Sequence, residues 1–586
     1  MDFDRKTILA FILIGLVFIF TYSPMYQKMI DPEGYEQQQQ QIPEPIADTE
    51  SSEPAETVQN EDSQQPVEPN DVVSPDKPSD ITLAPAQDPS LTVQETPNVF
   101  YTIDTEKQTL IFSSQGADLI SASLKNYMDP RDEPVQLIPE SAEGMLSIGF
   151  IDFNGDTLST KDWSFQSDSR RDISLTGNET ATLTFTAKPD ESSRITKTFT
   201  FFGDRYDFNL TVDFFNMDRM ISQRQFFLHA PDGLASTEDR LKDDMAYAKA
   251  VLSAGGEIEK GYKTNDKRVT ETGDIDWLAV RTKYFSLAMI PQERKGISAL
   301  IHGTEIPVSE IDGEWKKYDV SLAMPYLGER TSSNPFKIYV GPLDNDILKS
   351  YNANLEKMMD FGMKIIQPFS IAILWTFKFI HRFVPNYGVV LIIFAFLIKI
   401  IVYPLTHKSF ESMKKMQELQ PRMNEIKEKY ANDPQRMNKE TMKLYKETGV
   451  NPLGGCLPTL LQMPLLFGLF IVFRSTIELR NEGFALWIND LSSPDTIATL
   501  PFSIPLYGDS LNVLPIVMGA TMILQQKLTV SDPRQKAFVY LMPIFMTLLF
   551  NQFPSGLNLY YALFNLLSIV QQKWLVHPKT KVAPSK

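Results

Sequence analysis

Lys399 is the one charged side chain in the run Val389–Leu405, which reads VVLIIFAFLIKIIVYPL. An ammonium in such a run can do electrostatic work. In a medium of low dielectric it attracts a carboxylate or a polar segment far more strongly than it does in water. Holding it there costs about 2.5–3.5 kcal/mol on membrane-insertion scales, so a functional reason is the default reading. Tyr403, four residues on, falls on the same helical face and extends a polar stripe. The competing reading is a lysine whose amine snorkels to the headgroups. Position alone weighs the two evenly, and the Tyr403 stripe favours a wet surface lined by protein.

Other chemistries find no residues to carry them. The histidines, His229, His302, His381, His407 and His577, are scattered, with no HExxH among them. Cys456 is the only cysteine, so neither an internal disulfide nor a cysteine metal cluster can form. No GxxxxGK loop and no GxSxG elbow is present. An ATPase, a zinc hydrolase and a serine hydrolase of standard pattern are therefore disfavoured, and no metal or cofactor is expected. The net charge of −17 over 586 residues is local. It comes from 16 acidic residues set against Lys77 alone between Asp31 and Pro97. The remainder is nearly neutral and offers nucleic acid no basic face.

The elements that must position Lys399 follow from the flanks. Pro385, Asn386 and Gly388 precede the run and Pro404 lies near its end. With Phe383 and Val384 it is long enough to cross a bilayer. Lys399 lies about 9 Å before Leu405 at 1.5 Å per residue, below the surface on the side where the chain leaves. The charged segment 407–448 follows, dense in lysine and arginine, and such density beside a span marks the cytoplasmic side. Its apolar spacing (Met416, Leu419, Met423, Ile426, then Met437, Thr441, Leu444) predicts an antiparallel helical hairpin turning at Asn432–Pro434. Met416 and Met423 fall inside that seam, whereas Met413 is the better candidate for contact with an apolar partner. Further spans are expected at Leu457–Phe473, kinked by Pro458 and Pro464, and at Leu511–Leu528, which carries Thr521, Gln525 and Gln526. Phe538–Phe553 and Leu557–Trp574 complete the set.

Upstream, Ile8–Phe20 behind Arg5 and Lys6 reads as an uncleaved anchor (residues 1–30), with its N-terminus in the cytoplasm. Residues 31–97 are too polar to fold and form a tether. Residues 98–345 read as an all-β sandwich. Tyr206, Phe208, Leu210, Val212 and Phe214 alternate with polar residues, and Ile195–Phe202 pairs with them across Gly203–Arg205. Residues 346–384 connect this domain to the membrane through a helix at Asp346–Met359 and an interfacial helix at Phe369–Val384, which Lys378, His381 and Arg382 interrupt. Residues 385–575 form the helical core, and 576–586 a cytoplasmic tail. The lysine and arginine bias places both ends inside.

Asn451-Pro452-Leu453-Gly454-Gly455-Cys456-Leu457-Pro458 with Gln462-Met463-Pro464 resembles the YidC family of membrane-protein insertases. So do Phe484-Ala485-Leu486-Trp487-Ile488, Phe553-Pro554-Ser555-Gly556-Leu557 with Tyr560-Tyr561, and Tyr403-Pro404-Leu405-Thr406. The resemblance implies the Gram-negative form: an anchor, a periplasmic β-sandwich and a five-helix core in the inner membrane. The core would hold a hydrophilic groove open to cytoplasm and lipid and closed to the outside. Lys399 stands where the family usually has arginine, which keeps the charge and loses the bidentate fork. Tyr560 and Tyr561 match a greasy slide for substrate, and Gln526 matches a glutamine of the corresponding span. Lys399, Tyr403, Gln526, Tyr560, Tyr561 and Met413 are the expected substrate contacts, with no catalytic residue. Expected partners are nascent membrane proteins, the Sec translocon and, at the hairpin, the ribosome or the signal recognition particle receptor. Two other readings stay open on the residues alone. One is a secondary transporter using Lys399 as its coupling charge, although no internal repeat supports it. The other is an envelope protein whose β domain acts on carbohydrate.

Overall fold

The structure is a computed structural model that describes residues 97–575, apart from 261, 263, 265, 309–312, 451–456, 505–506 and 530–535. The expected anchor, nearly all of the tether, the first part of the three-proline signature and the tail lie outside the described residues.

The strand Arg194–Phe202 turns Ile195, Lys197, Phe199 and Phe201 inward, and its threonines lie half-buried between them. Threonine and phenylalanine suit such a pleated, half-buried surface. It pairs antiparallel with Asp207–Phe215, as the alternation predicts. These strands belong to a 13-stranded sheet, and a 5-stranded sheet built on Phe100–Asp104, Gln108–Ser113 and Asp118–Met128 covers it. The two faces meet through aromatic rings. Phe112 lies 4.6 Å from Phe199, and Tyr101 lies 5.0 Å from Phe185, ring centre to ring centre.

His229 is half-buried in this domain, with Nδ1 2.6 Å from Ser321 Oγ. Burial, reinforced by the Lys197 ammonium and opposed by Asp319, pushes its pKa down from 6.5 to about 4. A depressed histidine pKa means that the unfolded chain binds the extra proton between those values. Its stability contribution is therefore complete above 6.5 and falls away as pH drops towards 4. Over that window the wild-type protein should lose about 3 kcal/mol more stability than His229→Gln, at 1.36 kcal/mol per unit. Thermal unfolding of both proteins in detergent at pH 7.5 and pH 4.5 checks this. An equal drop in both would refute it.

The expected helix Asp346–Met359 is broken. Asn345–Ser350 is helical, capped by the Asp344 carboxylate, and Leu355–Met358 forms a single 3-10 turn. Between them Asn352 and Asn354 take left-handed conformations (φ 53° and 57°), which asparagine tolerates better than most residues. Helix α1, Gln367–His381, buries Ser370, Ile373, Leu374 and Phe377 against the bundle and leaves Ile371, Trp375 and Phe379 exposed.

Helix α2, Tyr387–Lys429, is 43 residues long and carries the run around Lys399 straight into the charged segment. The sequence suggests a boundary near Pro404, yet the helix continues through both Pro404 and Pro421. Pro404 removes one donor, and nearby the Thr406 hydroxyl donates to the carbonyls of Val402 (3.0 Å) and Tyr403 (3.1 Å). Helix α3, Pro434–Thr448, folds back on α2 with Leu444 buried and Tyr445 Oη 3.4 Å from Met423 Sδ. Then come α4 (Leu457–Ser475), a hairpin of Thr496–Ile504 with Gly508–Asn512, α5 (Val513–Thr529), α6 (Lys536–Phe550) and α7 (Ser555–Val570). The hairpin lies between two of the expected spans, and its strands pair with each other alone.

Helices α2, α4, α5, α6 and α7 are the five expected in the core. Among the described residues only α2 is long and apolar enough to cross a membrane by length and composition. Among the described residues the others are shorter, and α7, with 16 residues, runs on into a π turn at Gln571–Leu575.

Candidate functional site: a polar seam in the helical core

The apolar run of α2 has two distinct faces. Val390, Leu391, Phe394 and Ala395 are buried, whereas Phe396, Ile400 and Ile401 are exposed. Lys399 belongs to the buried face, with 8% of its surface exposed. Its amine does not snorkel. Nζ donates to Ser568 Oγ on α7 at 2.7 Å, and that hydroxyl donates in turn to Phe564 O at 2.7 Å. The amine also lies 4.4 Å from the centre of the Phe564 ring and 5.9 Å from that of Phe410. No carboxylate pairs with it among the described residues.

Other polar groups continue the seam along α7. Gln571 Nε2 donates to Thr406 Oγ1 of α2 at 3.1 Å, and Asn565 Nδ2 to Thr521 Oγ1 of α5 at 3.3 Å. Next to Phe410 lies a cavity of about 140 Å³, lined also by Met413, Lys414, Leu528 and Lys573. A water needs only about 10–15 Å³ of such space, so there is room for several.

The six expected contact residues are placed unequally. Lys399 is at the centre of the seam and Met413 lines the cavity. Tyr403 is half-buried and stacks on His407 of its own helix at 5.4 Å, so the amine's partner comes from α7 instead. Gln526 is half-buried on α5. Tyr560 is wholly buried, 6.1 Å from Phe394 and 5.8 Å from Phe564, whereas Tyr561 is half-buried with its ring edge-on to Tyr560. Neither phenol oxygen has a hydrogen-bond partner among the described residues. The sequence reading missed Asn565, Ser568 and Gln571. Their three-residue spacing inside the apolar stretch 557–574 is a readable polar stripe on one helical face.

The recurring motifs do different work. Phe484 packs where a side chain on Gly388 would have to go, and Phe473 does the same at Gly556. Trp487 Nε1 donates to Asp495 Oδ2 at 3.0 Å, and that oxygen also caps α5 by accepting from the Val513 and Leu514 amides. Ser555 Oγ donates to Asp490 O at 2.7 Å. These residues knit together the ends of the helices opposite the α2–α3 hairpin.

Residues 101–372 match the family model described as YidC periplasmic domain, and residues 379–582 the one described as 60Kd inner membrane protein. Membrane protein insertase YidC of Chlorobaculum parvum is 41% identical over 488 residues, covering 81% of each chain. The chain belongs to the YidC family. The YidC of Chlorobium limicola is 39% identical over 484 residues, 81% of this chain and 82% of that one. A crystal structure of an active YidC insertase with its first transmembrane domain resolved is 18% identical, covers 80% of this chain and 91% of that chain, and has a TM-score of 0.35. This YidC-family protein is thus membrane-integral, and its antiparallel sandwich is the periplasmic domain. The polar seam lies between α2 and α7, in the part matched by the inner membrane protein model.

Proposed function

We propose that this YidC-family chain inserts integral membrane proteins and helps them fold by offering Lys399 as a transient partner inside a seam that opens towards the cytoplasm. Its substrates are nascent membrane proteins. One observation carries this reading: the amine is turned into the bundle and held by a neutral hydroxyl. A buried ammonium without a counter-ion is costly, and an acidic or polar tail of an incoming protein relieves that cost. The apolar segment of the client then leaves sideways into lipid, driven by burial of its side chains. Water in the seam shortens the apolar distance that a polar tail must cross. The membrane potential adds about 2.3 kcal/mol per charge per 100 mV. The scheme needs no covalent step, no nucleotide and no cofactor, and the protein is not an enzyme. Met413 meets the client first at the cavity. Tyr403 and Gln526 flank its path, and Tyr560 and Tyr561 contact it once α7 parts from Phe394. Residues 1–30 anchor the chain in the inner membrane and 31–97 tether the sandwich, with both termini in the cytoplasm. The hairpin of α2 and α3 receives the ribosome or the signal recognition particle receptor, and the Sec translocon is a working neighbour.

Reconstitution tests this. A small single-span protein with an acidic translocated tail should become protease-protected in vesicles containing the purified chain, without nucleotide. Equal protection in empty vesicles would sink the reading. A transporter would instead accumulate a small solute down an ion gradient.

A further inference from the structure

The outer loop between α4 and α5 does more than connect them. Asp495 within it caps α5, and Ser493 O and Leu491 O accept from the amides of Ser555 and Gly556 at the start of α7. Asn551 at the end of α6 donates to Tyr507 O (2.9 Å) and Ser510 O (2.7 Å), and Asn512 donates back to Asn551 O. One loop therefore holds the outer ends of α5, α6 and α7.

The same loop is bolted to the sandwich. Arg480 keeps only 2% of its side chain exposed. Its Nε donates to Glu238 Oε1 at 2.7 Å, Nη1 to Met128 O at 2.8 Å and Nη2 to Thr237 O at 3.1 Å. Its guanidinium lies 5.8 Å from the Tyr284 ring and 5.5 Å from the Phe285 ring. All five groups belong to the sandwich. Asn481 repeats the contact to Met128 O at 3.2 Å. Two residues before Arg480, Glu478 meets Lys378 of α1 at 3.0 Å, and Lys378 also holds Asp344 (3.4 Å) and Asp346 (2.6 Å) where the sandwich ends.

We infer that the loop is an outer seal over the polar seam and that Arg480 is a positioning residue that latches this seal to the periplasmic sandwich. The sandwich then serves as a rigid brace that keeps the seam shut on the outside while it opens inward. This rests on the insertase reading for its purpose, but the seal can be measured without any client.

The test uses the full chain with Cys456→Ser, which leaves no native thiol, and Ser568→Cys as a reporter beside Lys399. Right-side-out membrane vesicles are treated with a charged, membrane-impermeant maleimide added outside. With the latch intact the reporter should label slowly from outside. Adding Arg480→Ala should accelerate outside labelling by about tenfold or more, the factor produced by each 1.4 kcal/mol lost from the closed state. Arg480→Lys should fall between. Glu238→Gln removes one charge from the latch and leaves the backbone contacts, so it should give a smaller acceleration and decides the matter if Arg480→Ala does not fold. Outside labelling at the parent rate in Arg480→Ala, or in Glu238→Gln where only that variant folds, overturns the latch. Failure of client insertion in reconstituted vesicles, with these labelling rates as expected, would overturn the insertase reading alone.

Discussion

Lys399→Glu is expected to cut insertion of an acidic-tailed client by about a hundredfold, while Lys399→Arg retains most of it. Two unit charges 4 Å apart attract by about 4 kcal/mol at an effective dielectric of 20, and losing about 2.8 kcal/mol of that is a factor of a hundred. Glutamate also turns the attraction into repulsion, beside a seam whose nearest groups are a hydroxyl and two aromatic rings. Arginine keeps the charge, can donate to Ser568, and stacks well on the Phe564 ring. Ser568→Ala, which leaves the ammonium in place and removes only its neutral partner, should insert clients normally. The sign of the charge is the decisive control. A client whose tail carries lysine in place of its acids should be handled better by Lys399→Glu than by the wild type. Insertion is read as the protease-protected fraction in reconstituted vesicles, with each variant first shown to be helical and monodisperse. Wild-type insertion of the acidic client by Lys399→Glu would remove the central claim about the seam.

Much of this arrangement is legible from residues, and what is not has a physical cause. The inward and outward alternation of Arg194–Phe202 and Asp207–Phe215 is written in their apolar spacing, because a half-buried strand repeats every two residues. Lys399 stands out because a charge in an apolar run is expensive. Its partner does not stand out, because Ser568 lies 169 residues away and one serine costs an apolar helix little. The break in the expected helix 346–359 depends on two left-handed asparagines, a choice that helical periodicity does not register. The family motifs advertise themselves through tryptophan, proline and glycine, and two of them, Phe484–Ile488 and Phe553–Leu557, serve close packing at the end of the bundle that meets the sandwich and not the amine. Phe484 against Gly388 and Phe473 against Gly556 are contacts between segments far apart in the chain, so no local pattern forecasts them. Arg480 looks in sequence like any loop arginine, and only the folded sandwich supplies its three acceptors.

Lys197→Ala is expected to be the most destabilising single change in the sandwich. A lysine at an inward strand position contradicts the pattern that otherwise buries Ile195, Phe199 and Phe201. Its amine is wholly buried and meets four acceptors: Gly116 O (2.7 Å), Ala117 O (3.2 Å), Leu146 O (2.8 Å) and Asp118 Oδ1 (2.8 Å). Alanine leaves the Asp118 carboxylate and three carbonyls stranded. Removing one member of a buried pair costs about 3–5 kcal/mol. For a domain of this size that is a fall of about 10 °C in melting temperature. Asp118→Asn should cost less, since the three carbonyls still hold the ammonium. Thermal unfolding of the full chain in detergent, followed by tryptophan fluorescence, ranks the two, and a Lys197→Ala protein that melts within a degree or two of wild type would contradict the assignment. The consequence reaches the membrane. The strand that begins at Asp118 ends at Met128, whose carbonyl receives Arg480. A loosened Asp118 end gives that strand more freedom at its Met128 end. Lys197→Ala should therefore also speed outside labelling of Ser568→Cys, by less than Arg480→Ala does. That ordering follows only if the sandwich is mechanically continuous with the outer seal.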